Sequence, residues 1–183
     1  VLSVTENIVV NPINDAPTGL ATATLSSGTE DTTYVLQASD LLQGFSDVDG
    51  DSLAIGSIST THGSVVSNQN GTFTVTPETN YNGQVTVNYT VVDGKGGSVN
   101  ASQSFNLAAV NDNPAQTSTP VNLANGTEDT SYVLQASDLL QGFSDVDGDS
   151  LAIGSISTTH GSVVVNQNGT FTVTPETNYN GQV

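Results

Sequence analysis

The chain has 183 residues, enough for one or two domains, and carries 18 acidic side chains against one cationic one, Lys95, for a net charge of -17. That balance excludes nucleic acid and anionic membrane surfaces as partners, since both need a basic patch. The absence of cysteine excludes disulfides, thiolate metal sites and cysteine catalysis.

In chain order, Val1–Ile13 reads as the last strand of a preceding repeat, because it stands before Asn14-Asp15-Ala16-Pro17 as residues 101–110 stand before Asn111-Asp112-Asn113-Pro114. Gly28-Thr29-Glu30-Asp31-Thr32 opens a block that runs to Val85 and returns at 126–183, an offset of 98 residues, with two differences: Thr33 against Ser131 and Ser67 against Val165. Such a period is too long for a solenoid turn and suits an independent domain. The chain therefore divides into residues 1–13, a complete repeat at 14–111 and a second repeat at 112–183 that lacks the counterpart of residues 86–110.

Within the repeat, Ala38–Leu42, and Ala136–Leu140 after it, predict a single helical turn. The remainder alternates with a period of two. Val65, Phe73 and Val75 alternate with polar residues around Asn70-Gly71, which predicts a tight hairpin with both turn residues at positive φ. Val85, Val87, Tyr89 and Val91 share one strand face and Thr86, Asn88 and Thr90 the other, while Phe105 and Leu107 continue the pattern in the last strand. Six to eight short strands per repeat predict an all-β fold of tandem Ig-like or cadherin-like β-sandwich domains, with Tyr34, Phe45, Phe73, Tyr81 and Tyr89 as large core fillers.

The acids are clustered. Asp47-Val48-Asp49-Gly50-Asp51 recurs as Asp145-Val146-Asp147-Gly148-Asp149. Three carboxylates at alternate positions, with a glycine that lets the loop bend, repel one another unless a cation joins them. Calcium accepts six to eight oxygens in flexible geometry, whereas magnesium keeps its waters and zinc favours nitrogen and sulfur. An EF-hand is excluded, because its sixth and twelfth positions, Gly and Glu, are Ser52 and Ile58 here. Asp31, Asp93 and Asp129 are secondary candidates, and Asp93-Gly94-Lys95-Gly96-Gly97 reads as a plain turn. His62 and His160 read as exposed turn histidines, and Glu78 and Glu176 as turn residues. No catalytic constellation is visible, so the chain reads as a non-enzyme, and the Asn-x-Ser/Thr sites are given no role.

The order NDAP, TEDT, SDLLQGFSDVDGDSL, HGSV, NGTFTVTP, NYNGQVTVNYTVVDGKGGS resembles the cadherin-like (VCBS-type) tandem repeats of large bacterial surface and secreted proteins. The resemblance implies calcium-binding Ig-like sandwiches that serve as extenders in extracellular adhesins and biofilm proteins. By the same resemblance, ligands come from the linker (Asn14 and Asp15; Asn111, Asp112 and Asn113), from the DxD pairs (Asp47 and Asp49; Asp145 and Asp147) and from an early glutamate (Glu30; Glu128). There is no LDRE-like segment, and the third aspartate, Asp51 or Asp149, implies a site contained largely within one domain. Three functions follow. One is a calcium-stabilised structural extender whose partners are neighbouring repeats. Another is a filament subunit in which residues 1–13 add as a strand to the sheet left open at Val183 of another copy, although a piece of a longer array has the same ends. The third is a glycan-binding module using Tyr81, Tyr179 and the Asn-rich turns, weakened by the lack of Trp.

Overall fold

The computed structural model describes residues 1–183 and divides into two compact units, Val1–Val110 and Asn111–Val183. The first holds β1 (Thr18–Gly19), β2 (Gly28–Thr29), β3 (Tyr34–Gln37), α1 (Ala38–Leu42), β4 (Phe45–Ser46), β5 (Ala54–Thr60), β6 (Ser64–Ser67), β7 (Thr72–Thr76), β8 (Gly83–Val92) and β9 (Ser98–Ala108). Its sheets have strand orders β2-β9-β8-β5 and β3-β7-β6, with a separate β1-β4 pair. The long hairpin of β8 and β9 is antiparallel from Gly83↔Leu107 to Val92↔Ser98, whereas β2 joins β9 in parallel.

The two sheets form a sandwich because each presents its apolar alternate positions to the other. Leu36, Phe73 and Val75 of the three-stranded sheet meet Val85, Val87, Tyr89, Val91, Phe105 and Leu107 of the four-stranded one, and Leu41 of α1 plugs the end, fully buried. Tyr34, Phe45 and Tyr81 pack against this core while partly exposed. A buried polar chain runs through it. The Tyr89 hydroxyl donates its proton to Leu41 O at 2.8 Å and lies 3.4 Å from Gln103 Oε1, and Gln103 Nε2 donates to Ala23 O at 2.9 Å. These bonds satisfy groups whose burial unpaired would be costly. They also tie α1 and the segment after β1 to the central hairpin.

The hairpin between β6 and β7 departs from the tight Asn-Gly turn. It spans residues 68–71, closed by Asn68 N–H to Thr72 O at 2.9 Å, and the positive φ angles belong to Gln69 (60°) and Gly71 (82°). Asn70 instead folds its side chain back, its Oδ1 accepting from Thr72 N at 3.1 Å and Thr72 Oγ1 at 2.7 Å. This local bond replaces a left-handed backbone at Asn70.

The second unit holds β10 (Ala115–Gln116), β11 (Tyr132–Gln135), α2 (Ala136–Leu139), β12 (Phe143–Ser144), β13 (Ser162–Val165) and β14 (Thr170–Thr174), in a β11-β14-β13 sheet and a β10-β12 pair. Residues 152–158 have the same sequence as β5, AIGSIST, but are not a strand. In the first unit β5 pairs with β8 alone. Residues 1–17 likewise have no regular structure, and Leu2, Val4, Ile8 and Val10 are exposed. An open trough of about 1070 Å³ lies over Leu134, Leu139, Ile156, Val163 and Val173.

Leu41 and Leu139 occupy matching positions, one fully buried and the other partly exposed. Leu41→Ala is expected to cost about 2–5 kcal/mol, and Leu139→Ala clearly less. Hydrogen exchange of β7 amides in the first variant and of β14 amides in the second measures the difference.

Candidate metal centre

The turn after β4 organises itself around one side chain. Asp47 Oδ1 accepts from Asp49 N at 2.9 Å and from Asp51 N at 3.4 Å, while Asp47 O accepts from Gly50 N at 3.3 Å. Gly50 sits at φ 79°, a left-handed backbone that favours glycine. These bonds fold the loop so that alternate side chains converge. One carboxylate oxygen from each of Asp47, Asp49 and Asp51 lies within 4.8 Å of the others. Oxygens bound to one calcium at 2.3–2.6 Å are at most about 5 Å apart, so all three fit on a single ion. Asp47 Oδ2 is buried and has no hydrogen-bond partner in the protein. The donor set is entirely hard oxygen, and the cluster could hold a divalent cation.

The same turn forms in the second unit. Asp145 Oδ1 accepts from Asp147 N at 2.9 Å and Asp149 N at 3.3 Å, with Gly148 at φ 80°. The identical local sequence builds the identical turn. Each turn also holds the linker segment leading into its own unit. Asp15 N donates to Asp49 Oδ2 at 2.8 Å, and Asp112 N to Asp147 Oδ2 at 2.7 Å.

Within the first unit, the other candidates lie away from this turn. Glu30 is fully buried at the opposite end of the first unit. Its Oε1 accepts from Val110 N at 2.7 Å and its backbone N donates to Ala108 O at 3.0 Å, while Oε2 is buried without a partner. The acidic turn belongs to the Ser98 end of β9, where Gly97 approaches Ala16 of the linker. The eleven residues of β9 separate the two ends by roughly 33 Å. Glu30 therefore does not join Asn14, Asp15, Asp47 and Asp49 in one site. Glu128 and Asn113 are exposed. Asn111 turns its Nδ2 to Asp112 O at 2.8 Å. Asp31 and Asp129 latch neighbouring turns, accepting from Asn80 N at 2.9 Å and Asn178 N at 2.8 Å.

Asp93 is more than a plain turn residue. It is buried, and its Oδ1 accepts from the N–H groups of Lys95 (2.7 Å), Gly96 (3.0 Å) and Gly97 (2.9 Å). Its Oδ2 accepts from Asn14 Nδ2 at 2.8 Å and Gly97 N at 3.1 Å. The Asn14 amide above all, with those backbone N–H groups, holds its carboxyl below the usual carboxylate range, against an opposing cost of desolvation. Both oxygens of Asp93 thus accept hydrogen bonds, and Asn14 is one of the donors.

The histidines are not isolated either. His62 Nδ1 lies 3.1 Å from Glu78 Oε2 and its ring stacks on Tyr81 at 3.8 Å; His160 repeats this with Glu176 at 3.4 Å and Tyr179 at 4.1 Å. The pairs bind the loop before β6 to the loop after β7 and have no nucleophile.

The chain belongs to the cadherin-like domain family, which matches residues 13–108 and again residues 110–183. No curated relative matches it. Among solved structures it is similar to two endo-fucoidan hydrolases from glycoside hydrolase family 107. MfFcnA4 is 22% identical over 92% of this chain with a TM-score of 0.40, and MfFcnA9 is 20% identical over 88% with a TM-score of 0.33. The chain spans 25% of the former and 30% of the latter. No helix is long and apolar enough to cross a membrane.

Because the Asp93 carboxyl is lowered on folding, its stabilisation is complete above the unfolded value of about 3.9 and is lost as pH falls through the folded value. In excess EDTA, Asn14→Ala is expected to bring the Asp93 titration, followed by carbon NMR, back towards the unfolded value and to raise the midpoint of acid unfolding.

Proposed function

We propose that these cadherin-like units are calcium-stabilised extender repeats of an extracellular surface or matrix protein. The carrying observation is the first acidic turn, where three carboxylate oxygens lie within 4.8 Å of one another and a buried Asp47 oxygen has no partner. Each close pair of carboxylates repels by about 1 kcal/mol in bulk water and about 3–4 kcal/mol at a protein surface. No lysine pairs with these carboxylates; the acid–base contacts of the fold are His62 with Glu78 and His160 with Glu176. A cation removes this repulsion only in the folded loop, so binding stabilises folding. At an extracellular-module Kd of about 0.1–1 mM, several millimolar calcium adds on the order of 1–3 kcal/mol per site.

Repetition supports a mechanical role over a recognition role. The same loop, latch and stacked histidine recur in both units, and the glycan reading loses support because Tyr81 and Tyr179 each have one ring face covered by a histidine. The adhesin or biofilm context and the extracellular location are parts of the same proposal.

Thermal unfolding at 5 mM calcium and in excess EDTA tests it. Calcium is expected to raise the first unit's midpoint by at least about 4 °C. Asp47→Ala and Asp49→Ala should abolish the rise. A midpoint indifferent to EDTA would show the acidic turns to be ordinary loops.

A further inference from the structure

The first unit holds one parallel strand pair, β2 with β9, among antiparallel ones. That pair ends a longer parallel track. In chain order, Ala16, Ala23, Gly28 and Glu30 of the entering segment meet Gly97, Gln103, Leu107 and Ala108 of the leaving one. Gly97 abuts Ala16, since a Cβ there would come within 2.7 Å of Ala16 Cα. Gln103 Nε2 donates to Ala23 O at 2.9 Å, Gly28 and Thr29 pair with Leu107 and Ala108, and Glu30 N donates to Ala108 O at 3.0 Å. Gly28 lets the strands close up, because a Cβ there would lie 2.9 Å from Tyr34 Cδ2 and 3.1 Å from Leu107 Cδ2. The chain thus enters the unit beside the start of β9 and leaves it from the finish of β9, at the opposite end. Tension along the chain drags residues 16–30 one way and β9 the other.

We propose that residues 16–30 and β9 form a shear clamp, a load-bearing device by which the first unit resists end-to-end tension. The contacts of the track run between the two segments, across the pull, so they share the load and give way together. A hairpin pulled open from its free end yields one bond at a time. Each hydrogen bond contributes modestly alone, and sharing the load is what raises the barrier to forced unfolding, which the unfolding rate governs. The clamp's use to the protein rests on the extender reading, in which the unit sits in a chain under tension.

Single-molecule force spectroscopy of the 183-residue chain in 5 mM calcium tests it, with thiol handles introduced into a sequence that has no cysteine of its own. Handles at Ile13→Cys and Ala109→Cys load the track in shear. Handles at Asn82→Cys and Ala109→Cys open the β8–β9 hairpin from its free end, where Gly83 pairs with Leu107. At equal force the first geometry is expected to unfold the unit at least about tenfold more slowly than the second. Gly28→Val, which wedges β2 away from β9, should remove most of that difference, with protected Val87 and Tyr89 amides showing that the sandwich remains folded. Equal rates in the two geometries, or faster unfolding in the first, would overturn the clamp. A folded Gly28→Val unit that keeps the whole difference would overturn it as well. Where Gly28→Val does not fold, the two geometries of the parent sequence decide. Equal rates beside a calcium-raised thermal midpoint sink the clamp alone. A midpoint indifferent to calcium, with the rate difference retained, sinks the extender proposal and leaves the clamp standing.

Discussion

Asp47, Asp49 and Asp51 crowd three carboxylates into one turn of a chain that has a single lysine to set against 18 acids. Mutual repulsion opposes the turn, and local hydrogen bonding enforces it: Asp47 Oδ1 takes two backbone N–H groups, and Gly50 supplies the left-handed backbone. The acids elsewhere are handled by a different route. Asp93 spreads its charge over four donor groups, and Asp31 and Asp129 each take a backbone N–H from a neighbouring turn. A carboxylate saturated by donors is a structural fastener. One left with a buried, unpartnered oxygen beside two others could hold a cation.

This division organises the first unit along its length. The acidic turn and the Asp93 loop lie at the end where the linker arrives, and both hold it. Glu30 lies at the far end, against the last residues of β9. Between them runs an aliphatic core that is nearly free of charge, crossed by the Tyr89–Gln103 hydrogen bonds that fix the hairpin relative to α1. The chemistry sits at the ends and the rigidity in the middle.

Much of this was legible in the sequence wherever local pattern decides structure. The alternation of Val85, Val87, Tyr89 and Val91 marked a buried strand face, and Ala38–Leu42 a helical turn, because each depends on side chains a few residues apart. The DVDGD turn was legible for the same reason and forms alike in both units. What was hidden depends on residues distant in sequence. Asn14 meets Asp93 across 79 positions, Gln103 meets Ala23 across 80, and Glu30 proves to be at the far pole only once β2 is seen beside the end of β9. The histidine stacks on Tyr81 and Tyr179 join separate loops and left no signal beyond a repeated His and Tyr. AIGSIST is a strand at 54–60, where it pairs with β8, and none at 152–158.

The most direct test of the central claim is a calcium titration of the chain followed residue by residue through backbone amide shifts. Saturable changes centred on residues 47–51, at sub-millimolar to millimolar calcium and absent from Asp47→Asn, are the predicted result. Small, unsaturating shifts spread over all the acidic residues would contradict it, showing that the turn attracts calcium only as a diffuse counter-ion.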